Sequence, residues 1–214
     1  MNSNQVDILP FGPHVVMTEA SDEFIQILLE KGKEIRNPEH DHTKALAGRI
    51  KNEYLYEDPR DWFVPLFEEH VFNYLRTTPY GLTRENLDRL DVVRWDLYAL
   101  WINYQKCKEY NPPHNHTGDL SFIIYPDIPD VIREERGHDN VNPGNVVFEY
   151  GDRHFSNFLS FNNIITNIQP YTGLILIFPA WLSHHVYAFE SDVERVSVSG
   201  NIKLQHDFYS LMEK

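Results

Sequence analysis

The most constraining feature of this 214-residue chain is a change of pattern near residue 91. Beyond that point the sequence breaks into short β-prone runs separated by clusters of glycine, proline and asparagine. The runs are residues 92–104, 120–125, 145–150, 174–178 and 194–202. Short strands with frequent turn residues are typical of β-sandwiches and barrels. The C-terminal half is therefore predicted to be all-β.

The N-terminal part has helical periodicity instead. Ser21 is a predicted N-cap, followed by apolar residues at helical spacing and by Gly32, which is predicted to help end the helix. The apolar residues of this first helix are Phe24, Ile25, Leu28 and Leu29. A second helix is predicted over 62–75, a shorter one within 41–53, and a break at 77–81.

No linker separates the two parts, so we predict a single domain over residues 1–214. Residues 1–90 form its mainly helical part and residues 91–214 its β part. The length suffices for one domain with a substantial core.

Composition restricts the classes of function. Aspartate and glutamate number 32 against 19 lysines and arginines, a net charge of -13, which disfavours a role in nucleic-acid binding. The single cysteine, Cys107, excludes an internal disulfide and fits a reducing compartment. We find no signal peptide and no membrane-spanning run, and expect a cytoplasmic protein without membrane partners.

Two His-x-His pairs occur among the eleven histidines. Residues i and i+2 of a strand face the same side, so both imidazoles of such a pair can reach one ion. His40 and His42 lie in a polar segment without strand character, which favours a solvated loop. His114 and His116 lie between two predicted strands and are candidate metal ligands.

His184 strengthens that candidate site. It follows a buried-looking strand and a Pro-Ala-Trp turn, a position where a rigid strand can hold a ligand. Three neutral imidazoles suit iron, zinc, copper or nickel. The segment 194–202 alternates, with Arg195, Ser197, Ser199 and Asn201 on one face. On pattern alone this polar face is expected in water; inside a barrel, Arg195 would instead bind a carboxylate.

The strings NPPHNHTGDLSFIIY and GLILIFPAWLSHHVYAFESDVERVSVSGNI together resemble a known family. They are similar to the 2-oxoglutarate and iron(II)-dependent oxygenases common in marine bacteria and their phages. The shared pattern is H-x-H-x-x-x-x-L-S-x-x-x-Y, then G-x-L-x-x-F-P-x-W-L-x-H-x-V, then R-x-S-x-x-x-N. It covers roughly the C-terminal half. The resemblance implies a double-stranded β-helix, or jelly-roll, with iron at its open end.

The resemblance also assigns residues. It implies that His184 is a ligand and His185 only a neighbour. It implies that Arg195, assisted by Ser197, binds the distal carboxylate of 2-oxoglutarate, and that Tyr104 contacts the same cosubstrate. Tyr125 is a weaker candidate for that pocket.

One position departs from the usual pattern of this superfamily, which has His-x-Asp or His-x-Glu. Here the second place is His116. Either His116 ligates as a third imidazole, which keeps the i, i+2 geometry and is favoured, or Asp119 completes the site through the turn at Thr117 and Gly118.

The expected function is therefore hydroxylation of an unidentified substrate with Fe(II) and 2-oxoglutarate as cofactors and O2 as co-reactant, releasing succinate and CO2. The substrate could be a small molecule, an amino acid or a peptide. A cupin-type metal enzyme that does not use 2-oxoglutarate and a non-catalytic jelly-roll binding or virion protein stay open, as does a homodimer. Trp101, Asn103 and Trp181 are candidate pocket residues, but core packing is favoured for them.

Overall fold

The computed structural model describes residues 12–45, 48–78, 94–135, 143–151 and 165–205. Helix α1 spans Asp22–Glu34, α2 spans Arg60–Thr77 and the short α3 spans Asp130–Glu134. Two single 3-10 turns, Pro38–His40 and Thr43–Ala45, lie between α1 and α2. Parts of the predicted 77–81 break and of the predicted strand beginning at 92 lie outside the described residues.

The strands of the described residues fall mostly in the predicted half. They are β1 Val16–Glu19, β2 Glu53–Leu55, β3 Arg94–Gln105, β4 Asn111–His114, β5 Leu120–Asp127, β6 Val146–Glu149, β7 Ile165–Ile168, β8 Leu174–Pro179, β9 Ser183–Val186 and β10 Arg195–Gln205. All five predicted runs contain a strand. Strands β1 and β2 show that the N-terminal part is not purely helical.

The strands form two antiparallel sheets. The larger has the order β1-β8-β5-β10-β3-β2 and the smaller the order β4-β9-β6-β7. Apart from β2-β3 and β6-β7, neighbouring strands are not consecutive in the sequence, as in a β-sandwich whose connections cross between layers. The mostly β fold with N-terminal helices is confirmed.

The larger sheet is buried on both faces, which explains its long apolar runs. On β8, Ile175 and Ile177 pack into a core shared with α1 and α2, whereas Leu174, Leu176 and Phe178 pack into a second core shared with the smaller sheet. Successive side chains of a strand point to opposite faces, so a strand covered on both sides reads as continuously apolar.

Helix α1 begins as predicted, because the Ser21 hydroxyl accepts a hydrogen bond from the Phe24 amide at 3.2 Å. It does not end at Gly32, however, but continues to Glu34. Gly32 instead faces the larger sheet, where an added Cβ would lie 2.4 Å from Ile102 Cδ1. Its role is therefore close packing. The short helix predicted within 41–53 is only a 3-10 turn, followed by β2.

Phe63 on α2 is expected to be a main anchor of the helices on the sheet. It is fully buried, and its ring lies 5.1 Å from the ring of Phe67 and 5.5 Å from that of Phe122. Phe63→Ala should lower the free energy of unfolding by about 3–5 kcal/mol, measured by denaturant titration, because it leaves a cavity among aromatic rings. Tyr98→Ala is the control, since Tyr98 is 66% exposed. An equal loss in both variants would contradict this packing.

Candidate active site

The smaller sheet brings two of the candidate metal ligands together. His114 ends β4 and is the direct cross-strand partner of His184 on β9. His116 follows two residues later, outside the strand, and its backbone amide donates a hydrogen bond to the carbonyl of Ala180 at 2.9 Å. The predicted strand geometry for the His-x-His pair thus holds only for His114. A backbone hydrogen bond to the turn before β9 positions His116 instead.

The three imidazoles surround one point. Their ring centroids are 4.4 Å apart for His114 and His184, 4.9 Å for His114 and His116, and 5.1 Å for His116 and His184. One ligand nitrogen from each residue lies within 4.8 Å of the other two. The described histidine, cysteine, aspartate and glutamate residues were all candidates for such a group. These three histidines are the ones whose ligand atoms lie close enough together to hold one ion. Nitrogen donors of this kind suit iron.

Hydrogen bonds orient two of the rings. His114 Nδ1 lies 2.7 Å from the Pro112 carbonyl oxygen, and His184 Nδ1 lies 3.0 Å from that of Leu182. A carbonyl only accepts, so both Nδ1 atoms carry the proton and both Nε2 atoms keep a lone pair for a metal.

Burial keeps the imidazoles neutral. Desolvation is the main reason why the pKa of His184 falls to about 3 and that of His116 to about 4, and the pKa of His114 is also lowered, chiefly by burial. Neighbouring imidazoles lower all three further. A neutral imidazole is the form that binds a metal ion.

Asp119, the alternative to His116, is engaged elsewhere. Its side chain is exposed, and Oδ2 accepts a hydrogen bond from the amide of Leu204 at 2.7 Å. This carboxylate therefore caps the end of β10, and it is not in the group around the three imidazoles.

Arg195 lines the same cavity as the three histidines, and this cavity has a volume of about 360 Å³. The predicted polar face of β10 points into this cavity and not into water, since Arg195, Ser197, Ser199 and Asn201 are all buried. Arg195 is 2% exposed and donates from one terminal nitrogen to the Gly144 carbonyl. Within the described residues no carboxylate pairs with it, and its Nε has no hydrogen-bond partner.

A buried guanidinium without an anion is costly, and a ligand carboxylate would satisfy it. Tyr125 adds a second unsatisfied group beside it. The Arg195 guanidinium carbon is 5.5 Å from the centre of the Tyr125 ring, and the buried Tyr125 hydroxyl has no hydrogen-bond partner. Burial raises the pKa of Tyr125 to about 12, so the hydroxyl is a proton donor at neutral pH. The unsatisfied donors of Tyr125 and Arg195 fit a carboxylate.

Tyr104 is not brought to this cavity, contrary to what the resemblance implied. It packs in the core between the larger sheet and the helices, with the Arg36 guanidinium 4.0 Å from its ring centre. The reason is strand alternation: Ala99, Trp101 and Asn103 on β3 face the cavity, so Tyr104 faces the helices.

Several lining residues differ from the sequence predictions. Trp101 and Asn103 line the cavity, whereas core packing was favoured for them, and Trp181 is 55% exposed and belongs to neither core. His42 lines the cavity although a solvated loop was predicted. Glu53 on β2 was not singled out at all. No local pattern marks it, because only the pairing of β2 with β3 brings it inside.

Comparison with known proteins agrees with this geometry. Residues 99–201 match the family model described as "Putative 2OG-Fe(II) oxygenase". The matched segment contains the three histidines, Arg195, Ser197 and Tyr125.

Residues 99–201 belong to the 2OG-Fe(II) oxygenase family. The chain is accordingly an oxidoreductase whose cofactors are Fe(II) and 2-oxoglutarate. No curated protein sequence matches it significantly. No helix among the described residues is long and apolar enough to cross a membrane.

Solved structures show the same fold at low sequence identity. A viral collagen prolyl hydroxylase from Paramecium Bursaria Chlorella virus-1, in complex with 2-oxoglutarate, is similar with a TM-score of 0.54 and 12% identity over 88% of this chain and 94% of that one. A Pseudomonas putida prolyl-4-hydroxylase is similar with a TM-score of 0.52 and 12% identity, over 88% of this chain and 91% of that one. HygX from Streptomyces hygroscopicus, with nickel and 2-oxoglutarate bound, is similar with a TM-score of 0.50 and 10% identity, over 91% of this chain and 83% of that one. The predicted double-stranded β-helix is confirmed.

Proposed function

We propose that this chain hydroxylates an unactivated C–H bond of its substrate at an iron(II) centre held by His114, His116 and His184. One atom of O2 enters the substrate as the hydroxyl group, and the other enters the succinate formed when 2-oxoglutarate loses CO2. The observation that carries the proposal is one cavity lined by two unsatisfied groups: three neutral imidazoles, and Arg195 without an anion among the described residues.

The residues have separate tasks in this proposal. The Nε2 lone pairs of His114 and His184 and one ring nitrogen of His116 would hold the metal, which would also bind the cosubstrate and O2. Arg195 and Tyr125 bind the distal carboxylate of 2-oxoglutarate, and Ser197, buried on the same face of β10, lies on the cavity wall beside them. Binding both ends fixes the orientation of the cosubstrate before oxygen arrives. Iron with 2-oxoglutarate supplies the oxidising chemistry, and the walls of the cavity shield it from water.

The type of reaction and the class of substrate are part of this proposal. Hydroxylation is the activity that the names of the two prolyl hydroxylases of the same fold state for those proteins. A small molecule, an amino acid or a peptide fits the cavity volume of about 360 Å³ at least in part. The expected cytoplasmic location, the homodimer and the lack of nucleic-acid and membrane partners stay predictions.

An anaerobic titration tests the cofactor site. Adding 2-oxoglutarate to the protein with Fe(II) should produce a weak visible charge-transfer band, because the cosubstrate binds the metal directly. Zn(II) is the control: it is d10 and redox-inactive, so it should give no band. No band at saturating iron and 2-oxoglutarate would contradict the proposal and favour a cupin-type enzyme or a binding protein. Oxygen-dependent release of succinate from the same sample tests the chemistry.

A further inference from the structure

A second group of unsatisfied polar atoms lines the cavity, on the side formed by the edge of the larger sheet. Glu53 Oε2, Asn103 Oδ1 and Asn111 Oδ1 are buried oxygens without a hydrogen-bond partner within the described part of the chain. All three residues line the cavity. None of them is used by the metal or cosubstrate sites described above.

Strand register brings two of these residues next to each other at the wall of the cavity. Glu53 on β2 is the cross-strand partner of Asn103 on β3, which is in turn the partner of Ser197 on β10. Asn111 at the start of β4 approaches from the smaller sheet. Asn111 Oδ1 and Glu53 Oε1 lie 2.0 Å and 3.5 Å from the position of a Cβ added to Gly48. The absence of a side chain at Gly48 thus leaves room for the Asn111 amide beside Glu53.

The electrostatic environment of this group is unusual. Glu53 is 1% exposed, and burial, together with the nearby Glu109 and Asp41, raises its pKa to about 8. Among the described residues lining the cavity, Arg195 is the sole lysine or arginine, and it lies on β10, with β3 between it and β2. Buried oxygen atoms without donors cost free energy, so the protein keeps three acceptors unsatisfied beside a catalytic cavity.

We propose that Glu53, Asn103 and Asn111 bind a primary ammonium group of the substrate. An ammonium group has three N–H donors and no acceptor, which matches three acceptor oxygens. The positive charge of the ammonium group would pair with the Glu53 carboxylate and favour the ionised form of Glu53. A substrate carboxylate or phosphate would be repelled by that carboxylate. This inference rests on the proposed function, because it assigns the substrate class of the same site: amines, including amino acids and the lysine side chains of peptides.

The test compares a cationic probe with a neutral one of similar shape. The full chain, loaded with Zn(II) and 2-oxoglutarate, is titrated by calorimetry with n-butylamine and separately with n-butanol at pH 8.5. At this pH the amine is still cationic, as a lysine would be. The wild type should bind the amine at least about tenfold more tightly than the alcohol, the scale of one charge-assisted hydrogen bond. Any direct contact between amine and zinc is the same in all variants.

Glu53→Gln should remove this preference, because it keeps the shape of the side chain and loses its charge. Glu57→Gln is the matched control, since Glu57 is an exposed acid outside the cavity lining and close in sequence. It should keep the preference. Gly48→Ala is a second variant that should also weaken amine binding, because the added methyl group would displace the Asn111 amide. Melting temperatures verify that each variant is folded.

The outcomes separate the two proposals. If wild type and Glu53→Gln bind the amine equally, or if n-butyramide binds the wild type more tightly than the amine, the ammonium site is wrong. Failure of 2-oxoglutarate to bind contradicts the proposed function instead. The amine comparison is then repeated with Zn(II) alone and decides the ammonium site independently.

Discussion

His184→Ala is expected to lower the affinity for Fe(II) by more than about 100-fold, because losing a partner that merely orients a metal ligand already costs about 10–100-fold. His184 is the most buried of the three imidazoles, at 2% exposure, and it is held by both cross-strand pairing with His114 and its hydrogen bond to Leu182. A water molecule entering the vacated space would replace a fixed nitrogen donor by a mobile one. Anaerobic equilibrium dialysis with Fe(II) measures the effect.

His185→Ala is the control for this experiment. His185 is adjacent in sequence but lies on the other face of β9, with its ring 4.9 Å from that of Tyr187 and its Nδ1 3.5 Å from a Glu149 carboxylate oxygen. Its replacement should leave Fe(II) affinity within a few-fold of the wild type. If His185→Ala loses iron and His184→Ala does not, the assignment of ligands is reversed.

The same dialysis decides the middle ligand. Asp119→Asn should bind Fe(II) as the wild type does, because the carboxylate caps the amide of Leu204. A large loss of iron affinity in Asp119→Asn would replace His116 by Asp119 in the proposed site.

The strands with strong local character could be predicted from the sequence, and the strands that carry the ligands could not. Strand β8 is a run of large apolar residues, and β10 alternates cleanly, so both are recognisable locally. Strand β4 contains Pro112 and Pro113, which read as a turn. It is nevertheless a strand because it lies at the edge of the smaller sheet, and its register pairs Asn111 and His114 while skipping the prolines. Tertiary pairing decides such a segment.

The residues of the candidate site were likewise predictable only where a local pattern marks them. Arg195 and Ser197 could be placed together because they alternate on one face of β10, and the family pattern adds Tyr125, which lies on β5. The family resemblance implies that Tyr104 contacts the cosubstrate, but the phase of β3 turns its side chain towards the helices. Glu53 and Asn111 enter the cavity through contacts between the N-terminal part and the β half, and single-strand periodicity carries no information on such contacts.

Arg195→Gln is expected to raise the dissociation constant for 2-oxoglutarate by about 30-fold to about 4,000-fold. Truncating one partner of a buried, hydrogen-bonded charge pair costs about 2–5 kcal/mol, and each 1.4 kcal/mol is a factor of ten. Arg195 is fully enclosed and within the described residues has no carboxylate partner, so little else screens its interaction with the cosubstrate. Calorimetric titration of the Zn(II)-loaded protein with 2-oxoglutarate measures the change.

The stability of the same variant gives a second, independent readout. Without 2-oxoglutarate, Arg195→Gln should be as stable as the wild type or more stable, because it removes an unpaired buried charge. With 2-oxoglutarate at 100 times its dissociation constant, the wild type should gain about 2.7 kcal/mol and the variant almost nothing at that concentration.

Arg36→Gln is the matched control for Arg195→Gln. Arg36 forms a two-pronged ion pair with Glu194, the residue next to Arg195, but it lies outside the cavity lining. Its loss should lower stability slightly and leave 2-oxoglutarate binding unchanged. If Arg195→Gln binds 2-oxoglutarate as tightly as Arg36→Gln does, the distal carboxylate is not at Arg195. The anion that balances this buried guanidinium would then have to come from the substrate, which would contradict both the cosubstrate orientation and the division of the cavity proposed above.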